Sequence, residues 1–201
     1  MVEKQKENLR MIAWEVTRSC NLACLHCRAS SICGSYANEL ATEECFKLID
    51  EIVSFSKPVI ILTGGEPLLR KDIFQIAEYG NKKGLRMVMA TNGTLLTDEL
   101  VTKILQSGIK RISISLDGPD EATHDSLRQV PGAFQRACAG IARAKKAGLE
   151  FQINSTITRG NLELVPQIME LAEKLGAKAQ HIFLLVPTGR AKDMLGEELS
   201  A

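Results

Sequence analysis

Aromatic residues, a strong net charge and long apolar segments are all scarce in this chain of 201 residues. Aromatic side chains make up 4% of it, which disfavours the stacking platforms on which single-stranded nucleic acids bind. The formal net charge is +1, so electrostatics gives no reason to expect nucleic acid or an anionic membrane as a partner. We therefore predict that the protein binds neither.

Segments that would direct the chain into or across a membrane are also lacking. Residues 1–10 are charged and contain no apolar core of the kind that a secretory signal peptide carries. The longest apolar runs, such as Val59 to Leu62, fall far short of the roughly 20 residues that cross a bilayer. These absences predict a cytoplasmic protein. In that reducing compartment, the six cysteines indicate metal or redox chemistry before disulfides.

Short β-rich runs alternate with amphipathic helical stretches along the whole chain. We predict strands over 12–17, 59–63, 87–91, 111–116, 151–158 and 180–186, and helices over 42–55, 71–83, 97–106, 133–146 and 164–175. Thr42 is the predicted N-cap of the first helix. This rhythm predicts an α/β fold with a parallel sheet, and it leaves an open doubly wound sheet and a barrel as candidate architectures.

The polar faces of two strands favour the barrel. In the fourth predicted strand, Ile112 and Ile114 share one face while Ser113 and Ser115 share the other, and residues 151–158 repeat the pattern. Such strands suggest a barrel whose interior holds a polar ligand, with a solvated edge strand as the alternative. A complete eight-unit barrel takes roughly 250 residues. We therefore predict a partial parallel (β/α)6 TIM-like barrel, truncated after strand six.

Three cysteines follow the first predicted strand in the spacing CxxxCxxC: Cys20, Cys24 and Cys27. Thiolates on one short loop can each bind a different iron of a 4Fe–4S cluster, with one iron left open. An open coordination position is typical of a reactive metal site. A zinc site with His26 as fourth ligand is an alternative, although adjacent residues such as His26 and Cys27 rarely reach one metal together. The reducing compartment disfavours a disulfide.

A Gly-Gly-Glu-Pro turn, residues 64–67, follows the second predicted strand. Paired glycines let a ligand approach the backbone closely, and the Glu66 carboxylate can meet a cation. Gly-Gly turns are common, so this one gains weight from its predicted place on the same barrel face as the cysteines.

Together these motifs resemble the radical S-adenosylmethionine (radical SAM) superfamily, whose two leading motifs they match in order. Four stretches of sequence are similar to the auxiliary-cluster (SPASM-type) branch of this superfamily, namely residues 18–28, 62–70, 91–93 and 113–118. That branch includes alternative haem-biosynthesis proteins, haem d1 synthesis proteins, and peptide and sulfatase maturases. Residues 12–22 and the stretch 181–190, which ends Val-Pro-Thr-Gly-Arg, are most similar to the haem-biosynthesis group.

The resemblance implies a role for each matching residue but identifies no catalytic acid or base. It implies a 4Fe–4S cluster on Cys20, Cys24 and Cys27, whose open iron is chelated by S-adenosylmethionine (AdoMet). It further implies contacts to that cofactor. The methionine amino group would be met by the turn Gly64, Gly65, Glu66 and Pro67, with Glu66 as the charged partner. The methionine carboxylate and the ribose would be met by Ser115 of the fourth strand and by Arg128 downstream. Two further residues would lie near the sugar, namely Asn92 and Asp117.

The implied activity is that of an oxidoreductase that splits AdoMet reductively, so that a 5′-deoxyadenosyl radical abstracts hydrogen from a small-molecule or peptide substrate. A tetrapyrrole undergoing oxidative decarboxylation in haem biosynthesis is the first expectation, and a peptide or sulfatase maturase is the alternative. A reductant of ferredoxin or flavodoxin type would supply single electrons. A non-catalytic iron–sulfur electron carrier and a zinc-binding interaction module are the rival classes, but the missing fourth cysteine argues against the carrier.

The resemblance also carries an expectation about domains. Residues 1–201 would form the N-terminal part of a radical SAM core domain, and the auxiliary-cluster domain of the branch would be absent from this chain, because no cysteine follows Cys138. The chain would then be a fragment, or a natural short form that lacks the auxiliary domain, and Ser200 would be the N-cap of a helix that the chain does not contain.

Several other residues have plainer expectations. Cys45 and Cys138 lie on apolar helix faces and are predicted to be core residues. His26 is predicted to pack beside the cysteine loop, and His124 to be a solvated loop residue. Met87 and its neighbour on the same strand, Met89, are predicted to line the barrel interior.

Overall fold

A computed structural model describes residues 9–199, so Ser200 and most of the charged N-terminal stretch lie outside the described residues. Six strands alternate with the helices. The strands are β1 (Met11–Thr17), β2 (Val59–Gly64), β3 (Arg86–Thr91), β4 (Arg111–Ser115), β5 (Glu150–Ile157) and β6 (Gln180–Leu184). The α-helices are α1 (Thr42–Phe55), α2 (Ile73–Lys82), α3 (Asp98–Gln106), α4 (Glu121–Arg128), α5 (Ala133–Lys146) and α6 (Val165–Leu175).

All neighbouring strands are parallel, and the sheet order follows the chain from β1 to β6. A doubly wound sheet would reverse its direction of growth at a switch point. The unbroken order instead places every crossover helix on one side of the sheet, as in a TIM barrel. The prediction of a partial parallel barrel of six units is confirmed.

The two faces of the strands differ as the alternation predicts. Ile112 and Ile114 of β4 are fully buried and belong to the core shared with α3 and α5, whereas Ser113 and Ser115 are only half-buried on the opposite face. This apolar layer between strands and helices holds the sheet to its helices, since burial of one such side chain stabilises the fold by about 1.5–3 kcal/mol.

The prediction that two methionines line the barrel interior is wrong. A methyl group built on Gly80 of α2 would lie 2.5 Å from the Met87 sulfur, so that side chain points at the helix layer. Met89, two residues on, shares this face and is fully buried. Gly80 has no side chain and therefore leaves a gap on the surface of α2, and the flexible thioether of Met87 fills it.

The short helix α4 was not predicted, and His124 on it is 1% exposed rather than solvated. The eight residues of α4 show little apolar periodicity, so the N-cap residue predicts this helix better than its apolar spacing does. The Asp120 side chain accepts a hydrogen bond of 2.8 Å from the Thr123 amide.

The longer helices follow the prediction more closely, although the cap of α1 differs. Helices α1 and α5 have the predicted bounds. Ala41, not Thr42, precedes α1, and the Thr42 hydroxyl donates to the Asp72 carboxylate at the start of α2, 2.7 Å away. Cys45 is fully buried, as predicted, whereas Cys138 is half-buried. No helix in 9–199 combines the length and the apolar character needed to cross a bilayer.

The two faces of β4 predict opposite effects of substitution. Ile112→Ala removes side-chain volume from a fully buried position and should lower the free energy of unfolding by about 2–5 kcal/mol. Ser113→Ala, on the other face, should change it by about 0.5 kcal/mol or less. Denaturant titration of the two variants checks this. Equal losses would contradict the assignment of the faces.

Candidate functional site

A cavity of about 470 Å³ opens at the carboxyl ends of the strands. Its wall combines the cysteine loop after β1, the turns after β2 and β3, the polar inner face of β4 and β5, and the segment after β6. Most of the predicted site residues line it: Cys20, Cys24, Cys27, Gly64, Gly65, Asn92, Ser115 and Arg128. The chain topology therefore gathers residues that are more than one hundred positions apart into one site.

The three cysteines of the loop are free thiols. Cys20 and Cys24 are each 7% exposed, and burial raises the pKa of Cys20 to about 11. Ionisation of such a thiol needs a cation close by. Within residues 9–199, no three His, Cys, Asp or Glu side chains converge as a single metal ion would require. The three thiols nevertheless line one common cavity.

Backbone hydrogen bonds from α4 hold the cysteine loop in place. The amides of Ala23 and Leu25 donate to the carbonyls of Arg128 and Leu127, at 3.3 and 2.9 Å. These carbonyls lie in the last turn of α4, where helical partners run out. The unpredicted helix therefore docks the loop that carries the predicted metal ligands.

The glycines of the turn after β2 let two backbone segments meet. Gly64 has φ +134°, and a methyl group on it would lie 2.1 Å from the Thr17 carbonyl oxygen. A methyl group on Gly65 would lie 2.2 Å from the Ser19 carbonyl oxygen. The Gly65 amide donates to the Thr17 carbonyl and the Glu66 amide donates to the Ser19 carbonyl, both at 2.8 Å. The close approach that requires glycine is thus made by the start of the cysteine loop itself.

Glu66 is fully buried behind the cavity wall, and the next residue, Pro67, is also buried. The Glu66 carboxylate accepts hydrogen bonds from the Thr91 hydroxyl and the Asn92 amide, both at 2.8 Å, and from the Leu68 amide at 3.1 Å. Burial raises the pKa of Glu66 to about 7 against the opposing effect of these donors. In this arrangement the carboxylate joins the turn after β2 to the turn after β3.

A buried ion pair lies beneath the cysteine loop. The Arg128 guanidinium is 2.6 Å from the Asp117 carboxylate, which is fully buried, and Arg128 also donates to the Cys24 sulfur at 3.6 Å. Burial opposes ionisation of Asp117, but the charge of Arg128 outweighs it and lowers the pKa of the carboxyl. The Nε atom of Arg128 is buried without a hydrogen-bond partner among the described residues. A donor of this kind beside a cavity suits an anionic or polar ligand.

Two histidines flank this pair in their neutral form. Burial lowers the pKa of His26 and of His124 to about 4 each. The His124 Nδ1 accepts a hydrogen bond of 3.1 Å from the Asp117 amide, and His26 Nε2 lies 3.6 Å from the Asp117 carboxylate. His26 lines the cavity beside the cysteines, as its predicted packing position implies. The place of His124 in this network could not be predicted, because helix α4 itself was not predicted.

Asn92 and Ser115 lie on the cavity wall, whereas Asp117 lies behind it. The Asn92 side chain donates to the Asn21 side chain at 2.9 Å and lies 4.0 Å from the Cys20 sulfur. The predicted sugar contact of Asp117 stays a prediction, and its position shows a supporting contact to Arg128 instead.

One contributor was missed although its motif was noticed. Arg190, in the stretch ending Val-Pro-Thr-Gly-Arg, donates through Nε to the Cys24 carbonyl at 2.8 Å and lines the cavity. The motif alone gave it no role, because the contact joins residues 166 positions apart.

The buried carboxylate of Glu66 predicts a dependence of stability on pH. Its folded pKa of about 7 exceeds the ordinary value of 4.5, so its contribution to stability is fully present below about pH 4.5 and is lost as the pH rises to 7. The free energy of unfolding should fall by about 3 kcal/mol over that range relative to Glu66→Gln. Denaturant titrations at several pH values measure this. Glu163 is exposed, so the control Glu163→Gln should show the same pH dependence of the free energy of unfolding as the unmodified protein. The prediction would be contradicted if Glu66→Gln also showed the pH dependence of the unmodified protein.

Comparison with known proteins agrees with this geometry. The family model of the radical SAM superfamily matches residues 14–172. An AdoMet-dependent heme synthase of Methanosarcina barkeri is 53% identical over 184 residues, covering 92% of this chain and 53% of the relative. One of Nitratidesulfovibrio vulgaris is 50% identical over 200 residues, covering 100% of this chain and 54% of the relative. The chain thus spans about half the length of the curated relatives it matches.

A solved structure confirms the fold alone. The protein anSMEcpe, solved with bound AdoMet, aligns with a TM-score of 0.75 at 20% identity, over 89% of this chain and 52% of that one. Since the family model covers most of the sequence, from β1 into α6, the chain belongs to the radical SAM superfamily.

Proposed function

We propose that the protein binds a 4Fe–4S cluster and AdoMet in the cavity at the carboxyl ends of its strands and uses them for radical chemistry. One observation carries this proposal: Cys20, Cys24 and Cys27 all face a single cavity whose other walls are polar. When bound, the cluster supplies the electron that splits the carbon–sulfur bond of AdoMet, which gives methionine and a 5′-deoxyadenosyl radical. The remaining steps fall to the protein, which binds, orients and shields.

The residues present fit such a cluster. Three free thiols on one loop satisfy three irons of such a cluster, and all three line one cavity. His26 also lines the cavity, but within residues 9–199 no three His, Cys, Asp or Glu side chains converge as a single zinc ion would require, which disfavours the zinc-binding module. In the described part of the chain no fourth cysteine lines the cavity, which disfavours the electron carrier with four protein ligands.

Arg128 and Ser115 are the residues we propose for the carboxylate and ribose of AdoMet. The buried Nε of Arg128 is a donor without a protein partner, and Ser115 offers its hydroxyl from the inner face of β4. Asp117 holds the guanidinium in place, and Asn92 contributes an amide from the next turn. Gly64 and Gly65 form the wall against which the methionine end would lie.

Glu66 and Pro67 are proposed to act through the shape of the turn. The three hydrogen bonds that the Glu66 carboxylate accepts fix the turns after β2 and β3 relative to each other. Glu66 is fully buried and does not line the cavity, so a direct ion pair with the amino group of AdoMet would require this carboxylate to become exposed to the cavity.

The substrate class we propose is a tetrapyrrole that carries carboxylate groups, with oxidative decarboxylation as the reaction. The similarity to two heme synthases supports it, as does an apolar wall beside a cationic group. Phe183, Leu184 and Val186 are 51%, 60% and 64% exposed, and Arg190 lies next to them in the cavity wall. Mycofactocin maturase MftC of Mycolicibacterium smegmatis is 32% identical over 185 residues, which keeps peptide maturation as the second candidate.

The setting of this activity belongs to the same proposal. The chain would form the N-terminal part of the radical SAM core within a longer cytoplasmic protein, whose remainder carries auxiliary clusters. The relatives' greater length supports this view. A one-electron reductant of ferredoxin or flavodoxin type would deliver the electron, since splitting AdoMet requires a low potential.

The cluster assignment is tested on the cysteines. Anaerobically reconstituted protein should bind about four irons and four sulfides. Alanine at Cys20, Cys24 or Cys27 should abolish this binding, because each thiolate holds one iron. Cys45→Ala and Cys138→Ala remove thiols on the helix side and should leave the iron content unchanged. Iron retained after all three motif substitutions would reject the assignment.

Cofactor cleavage is tested separately. With dithionite as reductant, the 201-residue chain should convert AdoMet slowly into 5′-deoxyadenosine and methionine, since the cavity residues that would bind AdoMet all lie within it. Chromatography after anaerobic incubation detects the nucleoside, and Cys24→Ala serves as the blank. Equal product from both proteins would show that the chain performs no radical chemistry.

A further inference from the structure

The segment that follows β6 crosses back over the cysteine loop and bonds to it three times. The Arg190 amide donates to the Cys27 carbonyl at 3.0 Å. Its side chain donates through Nε to the Cys24 carbonyl at 2.8 Å and through Nη1 to the Ser31 carbonyl at 2.5 Å. One residue thus joins three points of the loop that carries the thiols.

The neighbouring glycine makes this contact possible. Gly189 has φ +60°, and a methyl group on it would lie 2.2 Å from the Arg28 carbonyl oxygen and 2.4 Å from that of Cys27. Real Cβ atoms do not approach backbone oxygens so closely. Any other residue at 189 would therefore push the segment away from the loop or move the loop itself.

Two of the three acceptors receive only long hydrogen bonds within the loop: the Cys27 amide donates to the Cys24 carbonyl at 3.3 Å, and the Ser30 amide donates to the Cys27 carbonyl at 3.2 Å. The shorter bonds from Arg190 use the remaining acceptor capacity of these carbonyls and tie the loop to the segment after β6. An arginine fork presents several donors at fixed angles, so it sets the relative orientation of its acceptors in a way that a lysine ammonium does not. Fixing the carbonyls of Cys24 and Cys27 fixes the backbone from which the two Cα–Cβ bonds project, and so limits the positions that the thiols can take.

The same segment also forms part of the cavity wall. Leu185, Val186 and Thr188 line the cavity, and Ala191, the third residue of the 3₁₀-helical stretch Gly189–Glu197, is fully buried. The segment therefore touches the cavity on one side and the cysteine loop on the other.

We propose that Arg190 is a positioning residue for the cysteine loop, and that Gly189 and Arg190 together fix the directions in which the Cys24 and Cys27 thiols face the cavity. The consequence for a bound cluster rests on the proposed function, whereas the effect on the loop itself does not. Arg190 touches the backbone of the loop, and its role does not depend on contact with AdoMet or substrate.

Hydrogen exchange tests the effect on the loop without any metal. In the metal-free protein, Arg190→Ala should speed amide exchange across residues 20–32 by about 10- to 100-fold, because hydrogen bonds to a charged donor are lost. Exchange in β2 to β4 should stay unchanged. Lys192→Ala, two positions on and exposed, is the matched control and should leave the loop protected. Unchanged loop exchange in Arg190→Ala, or an equal rise throughout the sheet, would overturn the proposal.

Two further variants separate positioning from general stability. Arg190→Lys keeps the charge but not the fork, so its loop protection should lie between that of Arg190→Ala and that of the unmodified protein. Loop protection equal to that of the unmodified protein would overturn the role of the fork. Gly189→Ala keeps Arg190 and should loosen the same residues, and its failure to do so would also overturn the proposal.

Reconstitution of the variants then tests the link to the cluster. The reduced-state electron paramagnetic resonance signal of Arg190→Lys should differ in line shape from that of the unmodified protein at equal iron content, while Lys192→Ala should match it. An unchanged signal in Arg190→Lys would overturn this part. Absence of iron in the unmodified protein would reject the proposed function instead, and the exchange result would still decide the role of Arg190 in the loop.

Discussion

The buried ion pair between Asp117 and Arg128 is the interaction on which the site depends. A carboxylate without solvent access is strongly disfavoured unless a cation and hydrogen-bond donors replace the water it has lost. Arg128 supplies the charge and the Thr156 amide supplies a donor at 2.9 Å. Because Arg128 ends α4, the pair also fixes the helix whose last carbonyls hold the cysteine loop. Removal of either partner would leave an unpaired charge beneath that loop.

The sequence was sufficient for the parts of the fold that repeat a simple pattern. Helices α1 and α5 have their predicted bounds because their apolar spacing is regular over fourteen residues each. The polar faces of β4 and β5 indicated the barrel, and the chain-order sheet confirmed it. Helix α4 escaped prediction because its stability comes from the Asp120 cap and from packing, not from periodicity. Met87 was placed on the wrong face because alternation alone does not say which side of a sheet carries the helices.

The sequence motifs located the site but did not predict which contacts its residues make. The cysteine spacing and the Gly-Gly turn were recognisable because each is local in sequence. What Gly64 and Gly65 approach, namely the backbone at Thr17 and Ser19, could not be deduced, since it depends on how β1 and β2 end beside each other. For the same reason His124 and Arg190 gave no signal. Their partners, Asp117 and the Cys24 carbonyl, meet them only in the folded chain.

The hydrogen bonds that hold the cysteine loop also order its assembly in time. The loop lies near the start of the chain, yet its partners come 104 and 166 residues later, at Arg128 and Arg190. Contacts so distant in sequence form slowly, because a long segment must be ordered before they contribute. During synthesis the thiols emerge long before the residues that orient them. The cysteine loop therefore acquires its last hydrogen bonds only after the sixth strand and the segment that follows it have formed, so the three thiols are held by fewer contacts until then.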